Sequence, residues 1–194
     1  TITGYNSSNY IVTASSGKLI KQGVGNTATV FPVGFSNSNY TPITLTNTTG
    51  TSDLSVSVKQ SVSNAVSDAT KIVTLEWGIA SSAATTATIS PTWTVSNQAA
   101  SFTNTGTGEL GNFTSIYTTY PVTLSTTTTT ATGVALQNGS NLIVVGNTGA
   151  LNSPLLAITG TTGHGSICPN IAAASQTYTI TNSGRTSAIG VTVV

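Results

Sequence analysis

The sequence predicts an all-β protein: an immunoglobulin-like β-sandwich over residues 1–150, then a C-terminal β-segment over 151–194 that is either a partial module of the same kind or a donor strand. Three observations carry this. Apolar and polar residues alternate with a period of two, turn-forming residues recur between the alternating runs, and helical spacing is nearly missing.

In chain order, Leu54, Val56 and Val58 alternate with Ser55, Ser57 and Lys59, and Val73, Leu75 and Trp77 alternate with Thr74 and Glu76. This is the pattern of strands with one buried and one wet face, and it sets Glu76 on the wet side as a solvated surface charge. The alternation returns at Trp93 and Val95, at Val122 and Leu124, at Tyr178 and Ile180, and at Ile189, Val191 and Val193. Turn chemistry separates these runs at Ser16-Gly17, residues 23–26, Thr49-Gly50, residues 106–108, Asn138-Gly139, residues 147–149 and Ser183-Gly184, at intervals suited to hairpins or Greek-key connections. Residues 61–70 have helical spacing through Val62, Ala65, Val66 and Ala69, yet their Ser and Asn content fits a short turn equally well. The Thr-rich run 125–132 suits an extended edge strand, since β-branched Thr is stiff at χ1. The pattern pauses at 150–154, which places the boundary between the two segments there.

Composition narrows function further. The 194 residues include five basic and four acidic side chains and one His, for a net charge of +1. Catalytic, metal-binding and phosphate-binding surfaces are built from ionisable groups, so this balance disfavours an enzyme, a cofactor or metal site, nucleic-acid binding and attraction to an anionic membrane. No apolar run reaches the length of a membrane span. Hydrophobic residues make up 38% of the chain and aromatics 6%, enough for a sandwich core of Val, Ile, Leu and Ala. A near-neutral protein lacks the self-repulsion that keeps copies apart, which favours association. Cys168 is the one cysteine, so no intrachain disulfide forms and an interchain bridge stays open. The chain begins at Thr1 without Met or a signal peptide, as expected of a mature product or a unit of something longer.

The run Ile189-Gly190-Val191-Thr192-Val193-Val194 has no turn or polar tail after it. A half-apolar strand of this kind pairs either within its own sheet or with another copy. In the second case backbone hydrogen bonds supply affinity, and Ile189, Val191, Val193 and Val194 form the intersubunit strand. Burial is worth roughly 1.5–3 kcal/mol for each such side chain.

Two stretches carry a family resemblance. The first is Gly4-Tyr5-Asn6, Tyr10-Ile11-Val12-Thr13, Gly17-Lys18-Leu19, Phe31-Pro32-Val33-Gly34 and Tyr40-Thr41-Pro42-Ile43-Thr44. The second is Glu76-Trp77-Gly78-Ile79, then Ala87-Thr88-Ile89-Ser90-Pro91-Thr92-Trp93 and Gln98-Ala99-Ala100-Ser101-Phe102. In order and spacing, residues 1–150 resemble repeat modules of large secreted and surface-attached proteins of Bacteroidota bacteria, exported by the type IX secretion route. Gly165-Ser166-Ile167-Cys168-Pro169-Asn170 through Gln176-Thr177-Tyr178-Thr179-Ile180-Thr181-Asn182-Ser183-Gly184 resembles the start of an immunoglobulin-like module from similar proteins. The resemblance implies extracellular β-sandwich repeats of adhesins and surface filaments, with no catalytic residues to carry over.

Candidate chemistry is sparse. His164 and Cys168 stand four apart, a pairing known from cysteine nucleophiles, but their Gly-rich surroundings read as a turn, with Cys168 a small buried hydrophobe. Asp53, Asp68, Glu76 and Glu109 are the carboxylates from which a glycosidase pair would have to come. Trp77 and Trp93 occupy apolar positions of alternating strands and read as core residues; alternatively Trp77, Trp93, Tyr117 and Tyr120 form a stacking platform for sugar rings. Alternating Thr also raises ice binding, although the Thr residues follow no solenoid repeat. Asn-x-Ser/Thr triplets begin at Asn6, Asn39, Asn47, Asn112 and Asn138. The expectation is a secreted, cell-surface structural subunit without cofactors that polymerises with itself into a filament or adhesive fibre and contacts surface glycans. A carbohydrate-binding module of a secreted multidomain protein is the alternative.

Overall fold

A computed structural model of the chain describes residues 3–14, 17–152, 156–159 and 179–182. Two stacked sheets form an all-β sandwich, consistent with the immunoglobulin-like class. The strands run in order β1 (Ile11–Val12), β2 (Leu19–Val24), β3 (Thr29–Phe31), β4 (Val33–Ser36), β5 (Asn39–Tyr40), β6 (Ile43–Asn47), β7 (Ser52–Lys59), β8 (Glu76–Ser81), β9 (Thr85–Pro91), β10 (Gly106–Phe113), β11 (Tyr117–Leu124), β12 (Ala131–Leu136) and β13 (Gly139–Asn147). A further antiparallel pair joins β14 (Leu156–Thr159) and β15 (Thr179–Asn182).

One sheet has six strands in the order β11-β10-β13-β8-β7-β2, and the other four in the order β12-β9-β6-β3. The chain changes sheets at most connections, and only β7–β8 and β10–β11 are hairpins within the large sheet. Strand β13 comes last in the sandwich yet lies between β10 and β8, so both of its ladders are filled. The small sheet β1-β4-β5 sits beside these, with β1 parallel to β4.

Period-two alternation decides which side chains enter the core. From β7, Leu54, Val56 and Val58 point inward, and they meet Ile43 and Leu45 of β6, Ile89 of β9 and Trp77 and Ile79 of β8. At Gly108 on β10, a Cβ would come within 2.6 Å of the Leu124 side chain and 2.8 Å of the Gly146 carbonyl, so only glycine lets the strands close there.

A second, smaller core lies on the outer face of the six-stranded sheet. Ile72, Tyr117, Val144, Ala150 and Leu151 are buried together, with Val62, Val66 and Phe113 packed against them. Residues 61–70 therefore roof this face. They form bends and a single 3-10 turn, Ala69–Lys71, capped by Asp68, rather than a helix. The packed unit extends to Asn152, whose carbonyl accepts a hydrogen bond from the Ser67 hydroxyl.

Other expectations shift locally. Trp93 lies just past the end of β9, and Val95 opens an exposed 3-10 turn instead of continuing a strand. Of the Thr-rich run 125–132, the first part is a turn closed by Ser125 and Thr128, and the edge strand β12 starts at Ala131.

Candidate functional site

The four carboxylates share one use: each accepts a hydrogen bond from a backbone N–H of another segment or turn. Gly23 donates to Asp53 at 2.8 Å, Thr70 to Asp68 at 3.0 Å, Ser63 to Glu76 at 2.8 Å and Leu151 to Glu109 at 2.7 Å. Hydrogen bonds from the Thr70 hydroxyl and from Lys71 hold the Asp68 carboxyl down at about 2. Glu76 is not the solvated surface charge the alternation suggests. It does face away from the Trp77 side, but the roof covers it, leaving it 2% exposed. There it takes Lys59 at 3.0 Å as counterion and the Ser63 hydroxyl at 3.0 Å as a further donor. Glu109 is buried on the same outer face. Two buried carboxylates thus pin the roof and the 150–151 turn to the sheet.

Neutral amides tie the remaining segments. Asn147 takes the Thr103 N–H at 2.9 Å and donates to the Thr103 carbonyl at 2.8 Å. In the core, Asn112 donates to Asn141 at 3.1 Å and to the Ala135 carbonyl at 2.8 Å, which links the two sheets. Asn147 pairs both a donor and its acceptor with the Thr103 backbone, whereas Asn112 uses its amide N–H groups and leaves its Oδ1 buried without a partner among the described residues.

The proposed sugar platform is corrected by burial. Trp77 is fully buried in β8 and donates its indole N–H to the Thr41 carbonyl at 2.9 Å. Trp93 is buried against Phe102 in an edge-to-face contact, ring centroids 6.1 Å apart. Tyr117 is buried in the outer core, 5.0 Å from the Phe113 ring, and burial pushes its phenol pKa up, with the Glu76 charge adding to this. Tyr120 is half-buried against the main core, and its hydroxyl accepts the Ala135 N–H at 2.9 Å. Trp77, Trp93 and Tyr117 offer no free ring face, because each lies where the strand period or the roof turns it inward.

Two of the five Asn-x-Ser/Thr triplets are likewise closed, since Asn47 and Asn112 are buried and hydrogen-bonded. Ile189, Val191, Val193 and Val194, together with His164 and Cys168, lie outside the described residues.

What the sandwich presents to a neighbour is its strand edges, and each is altered. On β2, Lys21 turns toward the gap between the sheets, donates to the Val30 carbonyl at 2.7 Å and sits 5.4 Å above the Phe31 ring. The β2 ladder also slips between Lys21 and Val24, at Gly23 with φ +61°. Strand β12 carries a similar slip at Gly133 with φ +69°. Edge strand β11 contains Pro121, and β3 is three residues long. Inward charge, bulges, proline and short length are devices that stop edge-to-edge pairing. By contrast, β14 and β15 pair only with each other among the described residues. Their sequences, Leu-Ala-Ile-Thr and Thr-Ile-Thr-Asn, contain no charge, proline or glycine.

Compared with known proteins, the chain matches no family model, no curated protein and no solved structure.

Proposed function

We propose that the protein is a structural subunit of an extracellular surface filament or adhesive fibre, assembled head to tail by β-strand addition between copies. The observation that carries this reading is the contrast between the edges. Those of the sandwich are blocked, whereas β14 and β15 form a two-stranded pair with unprotected sequences. Among the described residues this pair stands by itself, and an isolated two-stranded pair is marginal in water. Residues 186–194 of an adjacent copy add a strand to it, with Ile189, Val191 and Val193 as plugs along one face. The nearly charge-free composition supports the same reading, since every carboxylate is committed to holding a loop and neutral Ser/Thr walls let copies approach.

The test is Val191→Asp, imaged by negative-stain electron microscopy beside the parent chain. Burying an unpaired carboxylate in the donor position shortens or abolishes fibres. Fibres of undiminished length and number overturn the donor strand.

A further inference from the structure

Two residues, Gln137 and Asn138, carry the chain from β12 in the four-stranded sheet to β13 in the six-stranded one. The crossing is held from inside by Asn141, which is fully buried. Its Oδ1 accepts the Gln137 N–H at 2.9 Å, and its Nδ2 donates to the Gln137 carbonyl at 3.0 Å and to the Gly139 carbonyl at 3.1 Å. The same Oδ1 takes the Asn112 amide at 3.1 Å, so the crossing and the link between the sheets share one side chain. Asn138 is bypassed. It is exposed at the tip, and its side chain forms no hydrogen bond among the described residues.

Asn138 is also the one asparagine of the chain that is followed by glycine. The backbone nitrogen after an asparagine can attack the side-chain carbonyl carbon and close a five-membered ring, and a Cβ on the following residue crowds that approach. Gly139 has no Cβ, stands at φ +97°, and has nothing within 4 Å of where one would sit. The tip is thus open to water, whereas the amides of Asn47, Asn112 and Asn147 are engaged in hydrogen bonds. We propose that Asn138 is a site of spontaneous deamidation, which lengthens the crossing between the sheets as the protein ages. The Gly139 nitrogen bonds to Asn138 Cγ and gives up its proton, and the amide nitrogen leaves with that proton as ammonia. Water then opens the succinimide. Opening at Cγ restores the ordinary backbone as aspartate, and opening at the main-chain carbonyl of Asn138 gives isoaspartate, whose main chain runs through Cβ. In sum, one amide and one water become a carboxylate and ammonium, with no further reactant. The formal net charge falls from +1 to zero. Isoaspartate also adds a main-chain atom to a two-residue crossing. Asn141 then loses its present grip on Gln137 and Gly139, and a buried amide deprived of partners is costly. The inference stands apart from the fibre reading.

The test warms the full chain at mildly alkaline pH and maps its peptides by mass spectrometry. The amide-to-acid mass gain appears at Asn138, in chromatographically distinct aspartate and isoaspartate forms, at least about tenfold faster than at any other asparagine. Conversion spread evenly over the asparagines overturns the proposal. So does an Asn138 that stays intact in the folded chain under conditions where the urea-unfolded chain converts there. Asn138→Ser keeps a short polar residue in the loop and removes the reactive amide, so the acidic band that grows on isoelectric focusing of the parent is absent. A band that grows as before overturns the site. The isoaspartate form, once separated, unfolds at lower urea than Asn138→Asp, which has the same charge and an ordinary backbone. Equal midpoints for these two overturn the effect on the crossing.

Discussion

Glu109 shows how a single side chain organises this molecule. Its carboxylate accepts the Leu151 N–H at 2.7 Å in a buried setting, and Leu151 is fully buried in the outer core. Glu109→Ala strands that amide, and a lost hydrogen bond to a charged group costs about 1.5–3 kcal/mol. Urea titration followed by tryptophan fluorescence measures the fall in midpoint. Tyr117 is the opposite case. Its hydroxyl is buried without a hydrogen-bond partner among the described residues, so Tyr117→Phe removes a desolvated polar atom and keeps the ring, and stability rises by about 1 kcal/mol. The same residue gives a pH signature. Folding raises the phenol's pKa above the ordinary 10.0, so its contribution is complete below pH 10 and is lost as pH climbs past that value. The Phe variant declines less steeply on the alkaline side, as a series of urea midpoints from neutral to alkaline pH measures.

At the scale of elements, alternation was legible wherever a strand has one face in the core. Val122 and Leu124 of β11 and the inward run of β7 lie as the period places them. It also orients Glu76 correctly away from Trp77, yet a two-state inside/outside reading cannot foresee that residues 61–70 return to cover the outer face. The carboxylate staples were illegible for the same reason: their amide partners are 13 to 42 residues away for Glu76, Asp53 and Glu109. The edge devices belong to this scale as well. Replacing Lys21 by Val removes the inward cation over Phe31 from an edge strand that already carries Ile20, 65% exposed. The variant aggregates more readily than the parent, a rise in light scattering at constant concentration being the measure.

For the whole molecule, a net charge of +1 spread over few ionisable groups means that the proposed fibre would be held by strand pairing and apolar burial. Raising ionic strength from about 0.05 M to about 0.5 M shortens the screening length severalfold, yet the critical concentration for assembly shifts less than about threefold. Sedimentation across a salt series measures this, and a steep dependence contradicts assembly through neutral strands.

The sequence by itself determined the all-β class, the inward sets of β7 and β11 and the scarcity of charge, because period and composition are local properties of the chain. Only the tertiary structure decided that Tyr117 is sealed, that Asn47 and Asn112 are closed to glycans, and that all four carboxylates serve as clasps. Those outcomes depend on which distant segment lies over a given face. Chain crossings between two sheets set that, and no spacing within a single strand encodes it.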